Sequence, residues 1–547
     1  MPDTNSKKNG KRSHRAIILQ GGGALGAYEL GVLDKLCVLL TKEDEKTKRD
    51  GPLFDIIAGA SMGAINASIL VHNVTHPQEG VNPSDTKEIW KAAVKKLSDF
   101  YNDIMMLPKN HPLFMVNNFL LKNPMFEGFW KLWGIQRETY GKYINSYYEF
   151  LANGSEEKVK KFQENFVKSI FGGLYFWLFP DTWGDIATAE DARKYYSYYW
   201  TVRLGNPKVL RPAMEQPDLK YLDFSNKIAR FDNNPLADTM RNYWNYEKYP
   251  IKTSDENNEP RLLVVATDVE DATTPVVFDS YQRKGSKINH TEYGEKTELI
   301  KDNREVPRYD ITYPEGITIK HVMASASTPL KYEYPEFKVY DKLKKEEVTR
   351  TFWDGAFISN TPLRQVITAH RIYWRNKNGE DIPDLELYIV NLYPSVESGV
   401  PSDPDTIQDR QWDLMFHDRT RYELRIAQMR SDYIKLARNL VYLGESKGLK
   451  KEVREILEAT SDITTLTGKP RSYEDLIKSR FNVSRICYID RKESEKTSQS
   501  GKAFEFSEIT LKDLIKKGRD EAEKAYQKTV EQEKKEYSLF ETEHAKS

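Results

Sequence analysis

Short apolar runs alternate along the chain with segments of helical spacing, the pattern of strands covered on both faces by helices. Ala16-Ile17-Ile18-Leu19-Gln20 reads as a first buried strand, followed by a helix over 27–40. Phe54 to Ala58 is a second strand, followed by a helix over 64–70. Arg261 to Thr267 and Pro275 to Asp279 read as two more strands, and a polar, lysine-bearing stretch over 283–305 reads as a surface excursion. Ile317 to Val322 leads into the small residues Met323-Ala324-Ser325-Ala326-Ser327-Thr328-Pro329. Thr351-Phe352-Trp353-Asp354 ends a strand, and Leu385 to Leu392 is a further central one. This alternation predicts an α/β fold, a three-layer α/β/α core around a mainly parallel sheet.

Two stretches break the pattern. Over about 89–201 aromatic residues are dense, among them Trp130, Trp133, Phe176 and Trp177, and the spacing predicts a helical insertion. It is either a small subdomain with an aromatic core or a lipid-facing lid. After Pro401 the chain turns mostly helical, with one strand over 483–489 and an amphipathic helix from 506 fading into a polar tail. The expected organisation is a disordered basic tail over 1–14, a catalytic domain over 15–400 and a helical region over 401–547.

Charge narrows the partners. The 547 residues carry 82 Lys and Arg against 82 Asp and Glu, so no bulk charge points to nucleic acid. The longest aromatic-apolar run, 170–179, falls well short of the roughly 20 residues that span a bilayer. No apolar signal-type segment precedes the first strand. Cys37 and Cys487 sit far apart in apolar stretches and read as small core residues of a reducing compartment. The expected location is cytoplasmic, with a membrane or lipid-granule surface as a peripheral contact.

The candidate chemistry sits where the first two strands end. Gly59-Ala60-Ser61-Met62-Gly63 stands between a strand and a helix, the setting of a nucleophile elbow. Gly59 and Gly63 leave the tight turn free of side chains, and the helix from Met62 aims its positive end at the serine. The alternative is an ordinary glycine-rich turn with an N-cap serine. Gly21-Gly22-Gly23-Ala24-Leu25-Gly26 follows the first strand. It fits either a dinucleotide fingerprint or the N–H groups of an oxyanion hole. The acidic residue that the dinucleotide reading needs about 20 positions on falls in the solvated run Leu40 to Lys46, which favours the oxyanion reading. Asp354-Gly355 is either a common turn or a carboxylate facing the serine from a neighbouring strand. His321 and His370 are candidate bases for a Ser-His-Asp triad.

Together, Gly21-Gly22-Gly23-x-x-Gly26, Gly59-x-Ser61-x-Gly63, Ala324-Ser325-Ala326-Ser327-x-Pro329 and Asp354-Gly355-Ala356 resemble the patatin-like phospholipases. The resemblance covers roughly 15–80 and 260–394, and the flanking helices look like longer microbial members with an extra C-terminal region. It implies a Ser-Asp dyad with Ser61 as nucleophile and Asp354 as base. The oxyanion donors would be Gly21, Gly22, Gly23 and Met62, and no metal or organic cofactor is implied. The expected activity is hydrolysis of a phospholipid or another fatty acyl ester. Rival readings are an esterase or depolymerase acting on a storage polyester or neutral lipid, a catalytically vestigial lipid-binding protein, and a nucleotide-binding protein. The oligomeric state is open.

Overall fold

The computed structural model describes residues 12–106, most of 194–212, 231–282, 288–299, 304–378, 382–394, 396, 400, 404–417, 420–461, 471–477, 481–492 and 501–544. Trp130, Trp133, Phe176 and Trp177 lie outside the described residues, as do residues 1–11 of the basic tail.

Ten strands form one sheet among the described residues. They are β1 (His14–Leu19), β2 (Ile56–Ala60), β3 (Arg261–Asp268), β4 (Val276–Asp279), β5 (Asn289–Leu299), β6 (Arg304–Tyr313), β7 (Glu336–Asp341), β8 (Glu346–Asp354), β9 (Leu385–Asn391) and β10 (Val483–Asp490). The order is β10-β9-β1-β2-β3-β8-β7-β6-β5, with β4 also paired to β3. The first five are mutually parallel. Beyond β3 the sheet continues as an antiparallel ribbon. The stretch expected as a surface excursion over 283–305 therefore contributes β5 and the start of β6. In β5 the buried Asn289, Thr291 and Tyr293 alternate with the half-buried His290 and Glu292, and Tyr309, Ile311 and Tyr313 of the neighbouring β6 are buried as well.

The helices that cover the sheet are α1 (Gly26–Thr47), α2 (Met62–Thr75), α3 (Thr86–Ile104), α4 (Ile319–Ser325), α5 (Leu363–Asn378), α6 (Pro404–Phe416), α7 (Thr420–Ser446) and α8 (Glu508–His544). Alternate strand residues enter different layers, as the pleat requires. Ile17, Leu19 and Ile57 pack with residues of α1, α2, α3 and α8. Ala16, Ile18, Ile56, Ala58 and Leu263 pack with Leu363 and Val366 of α5 and Leu424 of α7. The fold is thus three-layered α/β/α. The aromatic-rich stretch begins inside the core, because Trp90, Phe100 and Tyr101 of α3 are buried there. Both cysteines are free and buried. No helix among the described residues is long and apolar enough to cross a membrane.

The region after 400 is built into this core. β10 pairs with β9 over its whole length. α8 lies against α1 at backbone contact: a Cβ on Gly31 would stand 2.0 Å from the Ile515 carbonyl oxygen, and one on Gly518 2.1 Å from that of Tyr28. A fragment ending at residue 400 is therefore expected to show no cooperative melting transition by circular dichroism, whereas the full chain melts cooperatively. It loses the burial of Leu511, Leu514, Ile515, Cys487 and Ile489. At about 1.5–3 kcal/mol per buried side chain, that is comparable with the ~5–15 kcal/mol by which whole domains are stable.

Candidate active site

The turn from β2 to α2 holds Ser61 at φ 51° and ψ −124°, a left-handed backbone that a residue with a Cβ adopts only when its surroundings impose it. Two glycines impose it. A Cβ on Gly59 would lie 2.4 Å from the Gly63 carbonyl, and one on Gly63 would lie 2.6 Å from the Leu19 oxygen of β1. The Ser61 N–H donates to the Ser325 carbonyl at 3.1 Å and to Ser325 Oγ at 2.9 Å. Ser325 Oγ donates in turn to the Val265 oxygen at 2.5 Å. The small-residue segment at the end of α4 thus locks the serine backbone to β3.

Sheet register brings Asp354 to the same place. Ala60 pairs with Val265, and Asp354 pairs with Ala266, so one strand, β3, carries the serine on one side and the aspartate on the other. Asp354 is buried, at 3% exposure. Its Oδ1 accepts from the Ala356 N–H at 2.9 Å and its Oδ2 from Thr328 Oγ1 at 3.1 Å. The Ser61 hydroxyl lies near enough to lower the carboxylate's pKa slightly, as the Ala356 N–H and the Thr328 hydroxyl do. Burial outweighs these bonds and pushes the Asp354 pKa up to about 6, closer to what a base for serine needs. Tyr332 and Tyr393 flank the carboxylate, their own ionisation suppressed by burial and then by its negative charge.

The glycine loop after β1 lies against the serine, and a Cβ on Gly21 would stand 2.7 Å from Ser61 Cβ. The Gly21 N–H donates to Asn360 Oδ1 at 2.8 Å, while Asn360 Nδ2 donates to the Phe416 carbonyl at the end of α6 at 2.8 Å. Gln20 extends the clamp, donating to Thr361 Oγ1 at 2.5 Å and accepting the Leu392 N–H at 2.7 Å. The Gly21 N–H is thus taken up by Asn360, unlike those of the candidate oxyanion donors Gly22, Gly23 and Met62, which have no such bond among the described residues. Gly23 has φ 55°, and a Cβ there would meet the Ala503 oxygen at 2.3 Å, so a turn from the C-terminal region closes over the loop. Beneath it, fully buried Glu29 accepts from Asn66 Nδ2 at 2.8 Å, and Tyr101 donates to Asn66 Oδ1 at 3.0 Å. Burial raises the Glu29 pKa well above the carboxylate range, which keeps the node neutral.

Asn360→Ala is expected to lower kcat by roughly 10-fold or more with little change in KM, because the Gly21 N–H and the Phe416 carbonyl lose their partners together. Steady-state kinetics on a soluble ester, with a melting curve alongside, read both effects.

Aromatic side chains cluster near Asp354. Phe416 stacks on Trp412 and packs against Phe357 and Tyr393, and Phe231 packs against Tyr332 and Phe504. Phe357, one turn beyond Asp354, is 39% exposed, and Leu330, two residues beyond Thr328, is 67% exposed.

The candidate histidines are engaged elsewhere. His321 Nδ1 serves the α4 cap at Thr318, and its ring packs among Phe278, Tyr313 and Phe337. His370 bonds the Pro383 oxygen through Nε2 and packs on Phe481. Burial lowers the pKa of each to about 3. Asn360 and Gln20 carry no motif of their own, whereas Ser325 and Thr328 fall within the Ala324–Pro329 segment. The nearest signal for Asn360 is the Asn-Thr-Pro that follows Asp354. Among the described residues no group of three or more His, Cys, Asp and Glu side chains is placed to hold a metal ion.

Residues 17–367 match the family model Patatin, described as patatin-like phospholipase. No curated protein matches the sequence. Among solved structures, VipD from Legionella pneumophila aligns over 95% of this chain and 67% of its own, at 12% identity and a TM-score of 0.28.

Proposed function

The chain belongs to the patatin-like phospholipase family, whose activity is that of lipid acyl hydrolases, and on that premise we propose that it cleaves fatty acyl esters through a Ser61–Asp354 dyad and an acyl-enzyme. The observation that carries the reading is the left-handed Ser61 beside a buried carboxylate of raised pKa. In the first half-reaction Asp354 takes the Ser61 proton as Oγ attacks the ester carbonyl. The N–H groups of Gly22, Gly23 and Met62 receive the developing oxyanion, aided by the N-terminus of α2. Gly21 serves by lacking a side chain beside Ser61 and by anchoring the loop on Asn360. The protonated Asp354 then gives its proton to the departing alcohol. Water, deprotonated by the same carboxylate, releases the fatty acid and restores the serine.

The aromatic cluster near Asp354 supports a long acyl chain as the group bound. The test is to incubate purified protein with a short p-nitrophenyl ester, phospholipid vesicles, a triacylglycerol emulsion and a hydroxyalkanoate polyester. Release of fatty acid from vesicles supports the phospholipase reading. Activity confined to emulsion or polymer moves the substrate to neutral lipid or polyester. A folded protein inert on all four would instead be a lipid binder.

A further inference from the structure

Helix α7 is apolar on two opposite faces. Its inner face buries Leu424 and half-buries Ala427, Ile434 and Val441. Its outer face carries Tyr422, Met429, Tyr433, Leu436, Leu440 and Leu443, each between 50% and 65% exposed. With half-buried Ile426, these fall at 422, 426, 429, 433, 436, 440 and 443. The spacing alternates four and three, the 3.5-residue period of a coiled-coil seam. A helix needing only to cover the core has one such stripe; the second has the spacing of a knobs-into-holes surface and stays exposed. Three heptads at 1.5 Å per residue give a seam about 30 Å long.

We propose that this seam pairs with the same seam of a second copy of the chain, antiparallel, to form a dimer. Area and charge favour that occupant. Half to two-thirds of each outer side chain is exposed, and at roughly 200 Å² per large side chain pairing buries on the order of 700 Å² per copy, near the ~800 Å² of a standard interface. In the antiparallel register with its two-fold axis between residues 434 and 435, the core layers join Tyr433 to Leu436, Ile426 to Leu443 and Leu440 to Met429 of the second copy. Flanking positions then set Arg430 against Ala437 and Asp432 against Asn439, with no like charges facing. Parallel pairing sets Arg425 against Arg430 on both sides of the seam. The antiparallel register with its axis at residue 431 sets Arg430 against Arg430 and Asp432 against Asp432, while the one with its axis at 438 leaves Tyr422 and Ile426 facing positions beyond the end of the helix. Parallel pairing and the axis at 431 are disfavoured by charge.

The experiment compares the full chain with the double variant Leu436→Glu/Leu440→Glu by sedimentation equilibrium at micromolar concentration and by vesicle flotation. The substituted side chains are exposed, and circular dichroism confirms that the variant folds. The expected result is about twice the 63.6 kDa chain mass for wild type and the chain mass for the variant, with unchanged turnover of a soluble ester. A wild type that is monomeric throughout overturns the proposal. So does a dimer that survives both substitutions. A monomer whose flotation with vesicles is lost in the variant overturns it too, and reassigns the seam to a lipid surface. The readout is mass, so it stands or falls apart from the ester hydrolase reading.

Discussion

Ser61→Ala is expected to reduce hydrolysis of a short p-nitrophenyl ester to the uncatalysed background, a loss on the order of 10⁶-fold by analogy with other serine hydrolases stripped of their nucleophile. The alanine keeps the Cβ and so keeps the left-handed strain at φ 51°. It also keeps the N–H that donates to Ser325. Backbone and oxyanion loop therefore stay as they are, and only the attacking oxygen is removed. A melting temperature within a few degrees of wild type, together with absent burst and steady-state product, is the expected pair of results. Substantial turnover in the folded variant would show that the ester is attacked by water or another group, and the dyad reading would fall.

Asp354→Asn is expected to cut kcat/KM by roughly 10³-fold, the usual worth of a positioned general base. The amide retains an oxygen for the Ala356 N–H and meets Thr328, whose hydroxyl also accepts. The fold should survive, and a second effect should run the opposite way. Burial raises the Asp354 pKa from 3.8 to about 6, equivalent to about 3 kcal/mol between its two protonation states. The folded protein thus holds this proton more tightly than the unfolded chain. The stability that the group contributes is complete below the unfolded pKa and is lost as pH rises through about 6. At pH 7–8 the buried carboxylate costs stability, so the asparagine variant should melt higher than wild type while being nearly inactive. Activity has the reverse dependence. The base works only when ionised, so wild-type kcat/KM should rise with pH and level off above about 6. A profile flat from pH 5 to 8, or an Asp354→Asn variant of normal rate, would place the base elsewhere.

The small consequences of Asn360→Ala and the large ones at Ser61 and Asp354 share an origin in how the site is assembled. The serine lies on the edge of the turn after β2, the aspartate at the end of β8, and β3 between them sets their separation through two adjacent ladder positions. The glycine loop is held from a segment 339 residues away. Its other side is closed by Ala503. A hydrolase built this way needs its C-terminal region for the site as well as for the core, which is why a fragment ending at 400 is expected to fail on both counts.

The local chain determined what local geometry can demand. Ile56 to Ala60 had to be a buried strand because no polar position interrupts it, with Asp55 standing just before it, and Gly59 and Gly63 had to flank Ser61 because a Cβ at either collides with backbone. The Gly-Gly-Gly turn and Asp354-Gly355 were legible for the same reason, and so was the three-layer fold, since runs apolar at every position must be covered on both faces. Pattern alone misread 283–305, because an antiparallel ribbon with one wet face places charges at alternate positions and resembles a loop in composition. What only the tertiary structure decided are the terms set by partners distant in sequence. It assigned the Gly21 N–H to Asn360, a residue 339 positions away. It packed His321 and His370 into aromatic and backbone contacts as neutral rings. It raised the Asp354 pKa by burial, a property of the whole surrounding core that no motif carries.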